Sequence, residues 1–322
     1  HLFGKIGTKM SPLANWLLSS RVSRWMIEKL FGIAQQRRLP KFASRRFLNT
    51  WQAGRHREDR KKDQPVDVVY FVDHYAEFHD TELADAFLRI LEHNGISVVI
   101  PRHQVASGMA MVSAGDLDAA RELAEINVGV LGEYAREGKQ IICTEPTAAV
   151  CLKHEYPRLL NHPDVQLVAD QVIDSGTYLQ SLLNEEKLRT DFSPQELTVG
   201  YHTPCHTKFL NATGPWLELL GHIPQLKLQS IDKGCSGMAG AFGMSAENFE
   251  RSLKMGEPLI AEMQRPDFNL GLSECSSCQF QMKQKSTLPT LHPLKLMALS
   301  YGIMPSIQRK MTPDRRERTL IT

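Results

Sequence analysis

The sequence predicts an α/β protein made of two tandem repeats, each folded around a parallel sheet, with a basic helical arm in front. Three observations predict it. From residue 66 onward, short apolar runs alternate with stretches of helical periodicity, the order that a parallel sheet with crossover helices requires. Marked positions recur at an offset of 129 to 131 residues. The first 65 residues carry 15 Lys+Arg against 4 Asp+Glu, a net +11, while the remaining 257 carry 23 against 32, a net −9.

The arm comes first. Trp16, Leu17, Leu18, Val22, Trp25, Met26, Leu30 and Phe31 recur at helical spacing, and Ser11-Pro12 suits an N-cap followed by a first helical residue. The preferred reading is a docking helix with a solvated basic face, with a membrane-surface helix as the other. Residues 55–64 are polar and highly charged and read as a linker. Residues 66–72 form a buried strand. Residues 81–93 put Leu83, Ala84, Phe87, Leu88 and Leu91 on one helical face, closed by Asn94-Gly95. Strands follow at 96–100 and 140–143, and helices at 114–137 and 146–156. The same order then returns: strands at 197–202, 226–231 and 268–272, and helices at 208–220, 246–264 and 276–285, with Pro258 expected to bend the second of these. The expected divisions are an arm and linker at 1–65, a first repeat at 66–184 and a second at 185–322.

The copies align residue by residue. Ala106-Ser107-Gly108-Met109-Ala110 matches Cys235-Ser236-Gly237-Met238-Ala239 at an offset of 129, and Glu145-Pro-Thr-Ala148 matches Cys275-Ser-Ser-Cys278 at 130. His74 matches Cys205 at 131. Each position falls at the carboxyl end of a strand or in the following turn, the edge where open α/β sheets bind ligands. The first copy has no thiol at any of these positions: His74, Ala106, Glu145 and Ala148 stand there, and a polar remnant is expected.

Four of the six cysteines lie between residues 197 and 283, on three separate loops. A C-x-x-C pair brings two sulfurs from one turn to one point, and Cys205 and Cys235 would reach it from two other loops. The residues leave open an iron–sulfur site, a zinc site, and buried or redox-active thiols. His202 and His206 flank Cys205, and either could replace a missing thiol or orient a ligand. Cys143, in a strand, and Cys151, on a helix, have no counterparts and read as core. His292-Pro293 reads as the cap of the last helix.

The residues His-Thr-Pro-Cys205-His, Gly-Cys235-Ser236-Gly-Met-Ala-Gly and Glu-Cys275-Ser-Ser-Cys278 resemble the tandem cysteine-rich (CCG) domain family. Its domains occur in the B subunit of heterodisulfide reductase, the iron–sulfur component of glycolate oxidase and the C subunit of anaerobic glycerol-3-phosphate dehydrogenase. Residues 101–104 and 113–121 are similar to the family's first copy, and the likeness covers about 66–302. Ser11-Pro-Leu-Ala-Asn-Trp-Leu-Leu is similar to the segment between a ferredoxin-like module and the CCG domains of large FAD-linked D-2-hydroxy-acid oxidases.

The resemblance implies two Rossmann-like repeats and a cluster held by Cys205, Cys235, Cys275 and Cys278. Ser236 departs from the family, standing where the second Cys of Cys-Cys-Gly is usual. Four thiolates suit a [4Fe–4S] cluster or a single zinc ion. Ser236, His202 and His206 are weaker ligand candidates.

The function implied is the electron-transfer portion of a flavin-linked dehydrogenase oxidising a D-2-hydroxy acid (D-lactate, glycolate or 2-hydroxyglutarate type) or glycerol-3-phosphate. The alternative is a structural zinc-binding docking module. FAD would sit on another domain or partner chain, beside a ferredoxin-like domain, with a peripheral membrane or quinone contact. The start at His1 suggests a fragment of a longer chain. The few, unevenly spread cysteines favour a reducing, cytoplasmic setting, peripheral to the inner membrane at most. No run of 18 apolar residues, no Gly-x-Gly-x-x-Gly and no P-loop occurs, and nucleic acid is not an expected partner.

Overall fold

The computed structural model describes residues 2–56 and 66–311. They fall into two compact units. The first contains the residues up to Ser23 together with Pro40–Arg189, and the second contains Arg24–Leu39 and the residues from Thr190 onward.

In the first unit, β1 (Val68–Phe71), β2 (Val98–Val99), β3 (Gln140–Cys143) and β4 (Val172–Asp174) form one sheet in the order β2-β1-β3-β4. All pairings are parallel, with Phe71 opposite Cys143. All four β1 residues are buried, as expected of a sheet covered on both faces. Helix Thr81–His93 turns Leu83, Phe87, Leu88, Ile90 and Leu91 into the core. The helix expected over 114–137 is Leu117–Arg136, starting where Asp116 accepts a hydrogen bond from the Ala119 N–H, and a short unexpected helix, Met109–Ala114, precedes it between left-handed Gly108 and Gly115. The 146–156 helix contains a π-helical turn at Cys151–Glu155, which leaves Cys151 in the core.

The second unit repeats the plan. Here β5 (Thr198–Tyr201), β6 (Lys227–Ser230), β7 (Leu270–Leu272) and β8 (Thr290–Leu291) run parallel in the order β6-β5-β7-β8, with Tyr201 opposite Leu272. Ile231, Leu259, Met263, Phe268 and Met282 fill the core between this sheet and its helices. The helix expected over 208–220 is broken into Cys205–Phe209 and Pro215–Gly221, with Asn211 at positive φ between them. Helix Phe249–Glu262 carries Pro258 inside it. His292 caps Pro293–Ser300, its Nδ1 accepting from the Leu294 N–H at 3.1 Å.

The arm forms helices Leu2–Lys9, Ser11–Ser19 and Arg21–Phe31, with Met10 as the cap before Ser11 and Pro12 in the first turn. The linker expected over 55–64 lies almost wholly outside the described residues. Segment 24–39 belongs to the second unit. Arg24 Nη2 donates to the carbonyls of Ala34 (2.6 Å) and Arg37 (2.8 Å), folding the segment on itself. Arg37, 1 % exposed, donates to Gln281 Oε1 at 2.6 Å and Ser252 Oγ at 3.2 Å, and lies over the Phe249 ring.

Candidate metal centre

The strand order puts the change of winding direction between β5 and β7, and the crevice at their carboxyl ends is the ligand-binding position of such sheets. Cys205 follows β5 as the first residue of helix Cys205–Phe209, and Cys275 follows β7 as the N-cap of helix Ser276–Gln284. The Cys275 sulfur receives the N–H groups of Ser277 and Cys278, the free donors of a helix start. Cys278, on the first turn, donates to Ser236 Oγ at 3.3 Å. Cys235 lies in the loop after β6, where its sulfur accepts the Gly237 N–H at 3.3 Å.

Gly237 has φ +82°, and a Cβ there would collide with the carbonyl of Ser252 and crowd the Gly256 nitrogen at 3.0 Å. The loop can therefore lie against helix Phe249–Glu262 only with glycine at this position.

Cys205 and Cys235 are exposed, and Cys275 and Cys278 are buried. Neighbouring Cys278 and then burial push the Cys275 thiol well up, and burial followed by Cys275 and Cys235 raises that of Cys205. These are thiols gathered where mutual repulsion opposes ionisation, and a bound cation reverses that order by stabilising thiolates. Among the described residues, no three Cys, His, Asp or Glu side chains stand close enough together to hold one metal ion as they are. The donor set fits a thiolate-held group in its chemistry: four sulfurs from three loops at one rim, those of Cys205, Cys235 and Cys275 receiving backbone N–H groups.

The weaker candidates divide. Ser236 is buried against Cys278. His202 is 1 % exposed, with one ring nitrogen donating to the Ile231 carbonyl and Nδ1 without a hydrogen-bond partner; burial lowers its pKa to about 4. His206 lies on the first turn after Cys205, partly exposed.

A feature outside the sequence reading lies beneath the cysteines. Glu274, 3 % exposed, accepts hydrogen bonds from Tyr201 Oη at 3.0 Å to each oxygen and from Thr207 Oγ1 at 2.7 Å. The repeat itself held the signal, because Tyr70 aligns with Tyr201 and Thr144 with Glu274 at the offsets already found.

In the first unit the matched positions hold the same backbone and different chemistry. His74 opens helix His74–Phe78, and Glu145 caps Pro146–Val150 with φ −108° and ψ 117°, close to the −91° and 121° of Cys275. Gly108 has φ +90°, as Gly237 has +82°. Ser107 bonds the buried Asp73 with its side chain, and its carbonyl accepts from Cys151 Sγ at 3.1 Å and Tyr156 Oη at 2.9 Å. Cys143 and Cys151 are core residues whose thiols burial pushes far up.

Residues 199–283 match the family model of the cysteine-rich (CCG) domain, and all four clustered cysteines lie inside the match. The chain is similar to several oxidoreductase components. It is 29 % identical over 298 residues to the C subunit of anaerobic glycerol-3-phosphate dehydrogenase from Escherichia coli K12, covering 92 % of this chain and 74 % of that protein. It is 26 % identical over 263 residues to the D subunit of dihydromethanophenazine:CoB–CoM heterodisulfide reductase from Methanosarcina barkeri, covering 77 % and 62 %. With D-2-hydroxyglutarate dehydrogenase of E. coli K12 it shares 25 % identity over 231 residues, 71 % of this chain but only 22 % of that protein. The resemblance read from the cysteine motifs is thereby borne out.

Proposed function

We propose that this chain is the iron–sulfur electron-transfer portion of a flavin-linked dehydrogenase, with Cys205, Cys235, Cys275 and Cys278 as the ligands of a [4Fe–4S] cluster. The observation that carries the reading is the placement of four thiols from three loops at the β5–β7 crevice, with Cys275 on a helix N-terminus. When bound, such a cluster takes up and releases one electron at a time. The protein's own residues do the rest. The N–H groups of Ser277, Cys278 and Gly237 direct positive dipoles at ligand sulfurs, which favours the thiolate form. Buried Cys275 and Cys278 keep water from one side, and exposed Cys205 and Cys235 face the side from which electrons arrive. Ser236 and His202 adjoin the ligand set.

The electrons come from FAD on another domain or chain that oxidises a D-2-hydroxy acid or glycerol-3-phosphate; the named dehydrogenases among the relatives support this class. A ferredoxin-like module and a quinone are the further partners in this scheme, and the setting is cytoplasmic. The arm supports a location against the inner membrane. Ile6, Met10, Leu13, Trp16, Leu17 and Val22 are exposed beside Lys5, Lys9 and Arg21, a composition that suits an anionic lipid surface. Among the described residues no helix is long and apolar enough to cross a membrane.

Iron and acid-labile sulfide analysis of protein purified without oxygen tests the assignment. About four of each per chain, with visible absorption that dithionite bleaches, is the expected result. About one zinc and no sulfide would replace it with a structural zinc module.

A further inference from the structure

The copy that carries the cysteines has a buried carboxylate at a position where the other has a hydroxyl. In the first unit, Tyr70 Oη and Thr144 Oγ1 form a neutral pair at 3.1 Å. In the second, the tyrosine is kept as Tyr201 and the threonine position is Glu274, the residue before Cys275. Tyr201 ends β5, Thr207 lies on the helix that begins at Cys205, and Glu274 ends the turn after β7. The carboxylate therefore ties the Cys205 loop to the Cys275 loop, and the bonds it receives from Tyr201 and Thr207 are ones that an ionised carboxylate accepts.

A tie alone does not call for a charge, since the first copy closes the same gap with a hydroxyl. An anion in a buried site opposes burial strongly, and its field acts over a longer range there than in water. Next to an electron-accepting group, a fixed negative charge disfavours arrival of the electron.

We infer that Glu274 is a positioning residue that latches the Cys205 and Cys275 loops together and holds the midpoint potential of the cluster low. The inference rests on the reading of the four cysteines as cluster ligands. Its test is a spectroelectrochemical titration of the anaerobically purified chain and two variants. Glu274→Gln keeps the shape and one carbonyl acceptor and removes the charge; its potential is expected to rise with the iron and sulfide content unchanged. Thr207→Val keeps the charge and removes one donor from it, leaving the carboxylate less compensated; its potential is expected to fall. Opposite shifts are what a purely structural latch would not produce. If Glu274→Gln loses its cluster, the Thr207→Val shift decides alone. An unchanged potential in Thr207→Val, or an unchanged or lowered one in cluster-loaded Glu274→Gln, overturns the inference and leaves the ligand assignment standing. Wild-type protein without iron and sulfide overturns both.

Discussion

The two units of this chain share a sheet order, a parallel register and a left-handed glycine after the second strand, yet the cysteines proposed as cluster ligands stand in the second alone. Where Cys205, Cys235, Cys275 and Cys278 stand in one, His74, Ala106, Glu145 and Ala148 stand in the other. The backbone hardly registers the difference: Glu145 caps its helix as Cys275 does. What differs is the polar layer under the rim. The first unit ties Asp73, Ser107, Tyr156, Asn127 and Cys151 into a buried network of its own. The second keeps Ser236 against Cys278 and lays Glu274 beneath two cysteine loops. A repeated fold can thus keep its loops while the residues on its rim are exchanged, because strand pairing and helix packing are set by residues below the rim.

The sharpest way to break the comparison is at the ligands. Cys275→Ser should abolish iron and sulfide binding, whereas Cys151→Ser in the first unit should leave the iron content unchanged; metal analysis of both variants checks it. The next test sets the two glycines against each other. At Gly237 an added Cβ meets backbone atoms of Ser252 and Gly256, so Gly237→Ala should cost about 4 kcal/mol, combining left-handed strain with overpacking. At Gly108 the nearest atoms lie at 3.6 and 3.7 Å, and Gly108→Ala should cost only about 1 kcal/mol. Denaturant unfolding of the two variants separates these values.

A third test is pH. The folded pKa of His202 lies near 4, below the ordinary 6.5, so the unfolded chain takes up its proton first as pH falls. The stability this neutral ring contributes is complete above about pH 6.5 and is lost progressively toward pH 4, on the order of 3 kcal/mol in all. His202→Gln should flatten the stability profile of the second unit across that window, and an imidazole NMR titration should place the ring's own midpoint near 4. The last test belongs to the arm. Arg37→Ala removes buried donors to Gln281 and Ser252 and should destabilise the second unit by about 2 kcal/mol while leaving the first unchanged. Hydrogen exchange resolved by segment reads the two units separately.

Much of this architecture was legible in the sequence. Six of the eight strands among the described residues lie within the predicted runs, since β1, β3, β5 and β7 carry enough apolar residues to declare themselves and β2 and β6 sit between turn signals. The remaining two, Val172–Asp174 and Thr290–Leu291, went unread: three and two residues are too short for any periodicity, and only pairing with β3 and β7 makes them strands. The short helix Met109–Ala114 and the helix break at Asn211 were also missed, the first because it is too short to show a periodicity and the second because the apolar spacing continues while the backbone turns. At the site, the cysteines were read from their spacing. Glu274, Tyr201 and Thr207 were not, because each looks like an ordinary residue until the sheet brings the loops together.

By itself the sequence determined the α/β class, the repeat and the rim on which the cysteines stand, because apolar periodicity and turn residues are local signals and a loop after a parallel strand has only one edge to occupy. Tertiary structure alone decided which side chains meet there. Cys278 reaches Ser236 across 42 residues and Glu274 reaches Tyr201 across 73, contacts that depend on the β6-β5-β7 order. It also decided that segment 24–39 packs in the second unit, through the buried Arg37. Side-chain pairs at such separations leave no trace in local spacing, and the sheet order that creates them becomes visible only once the strands have paired.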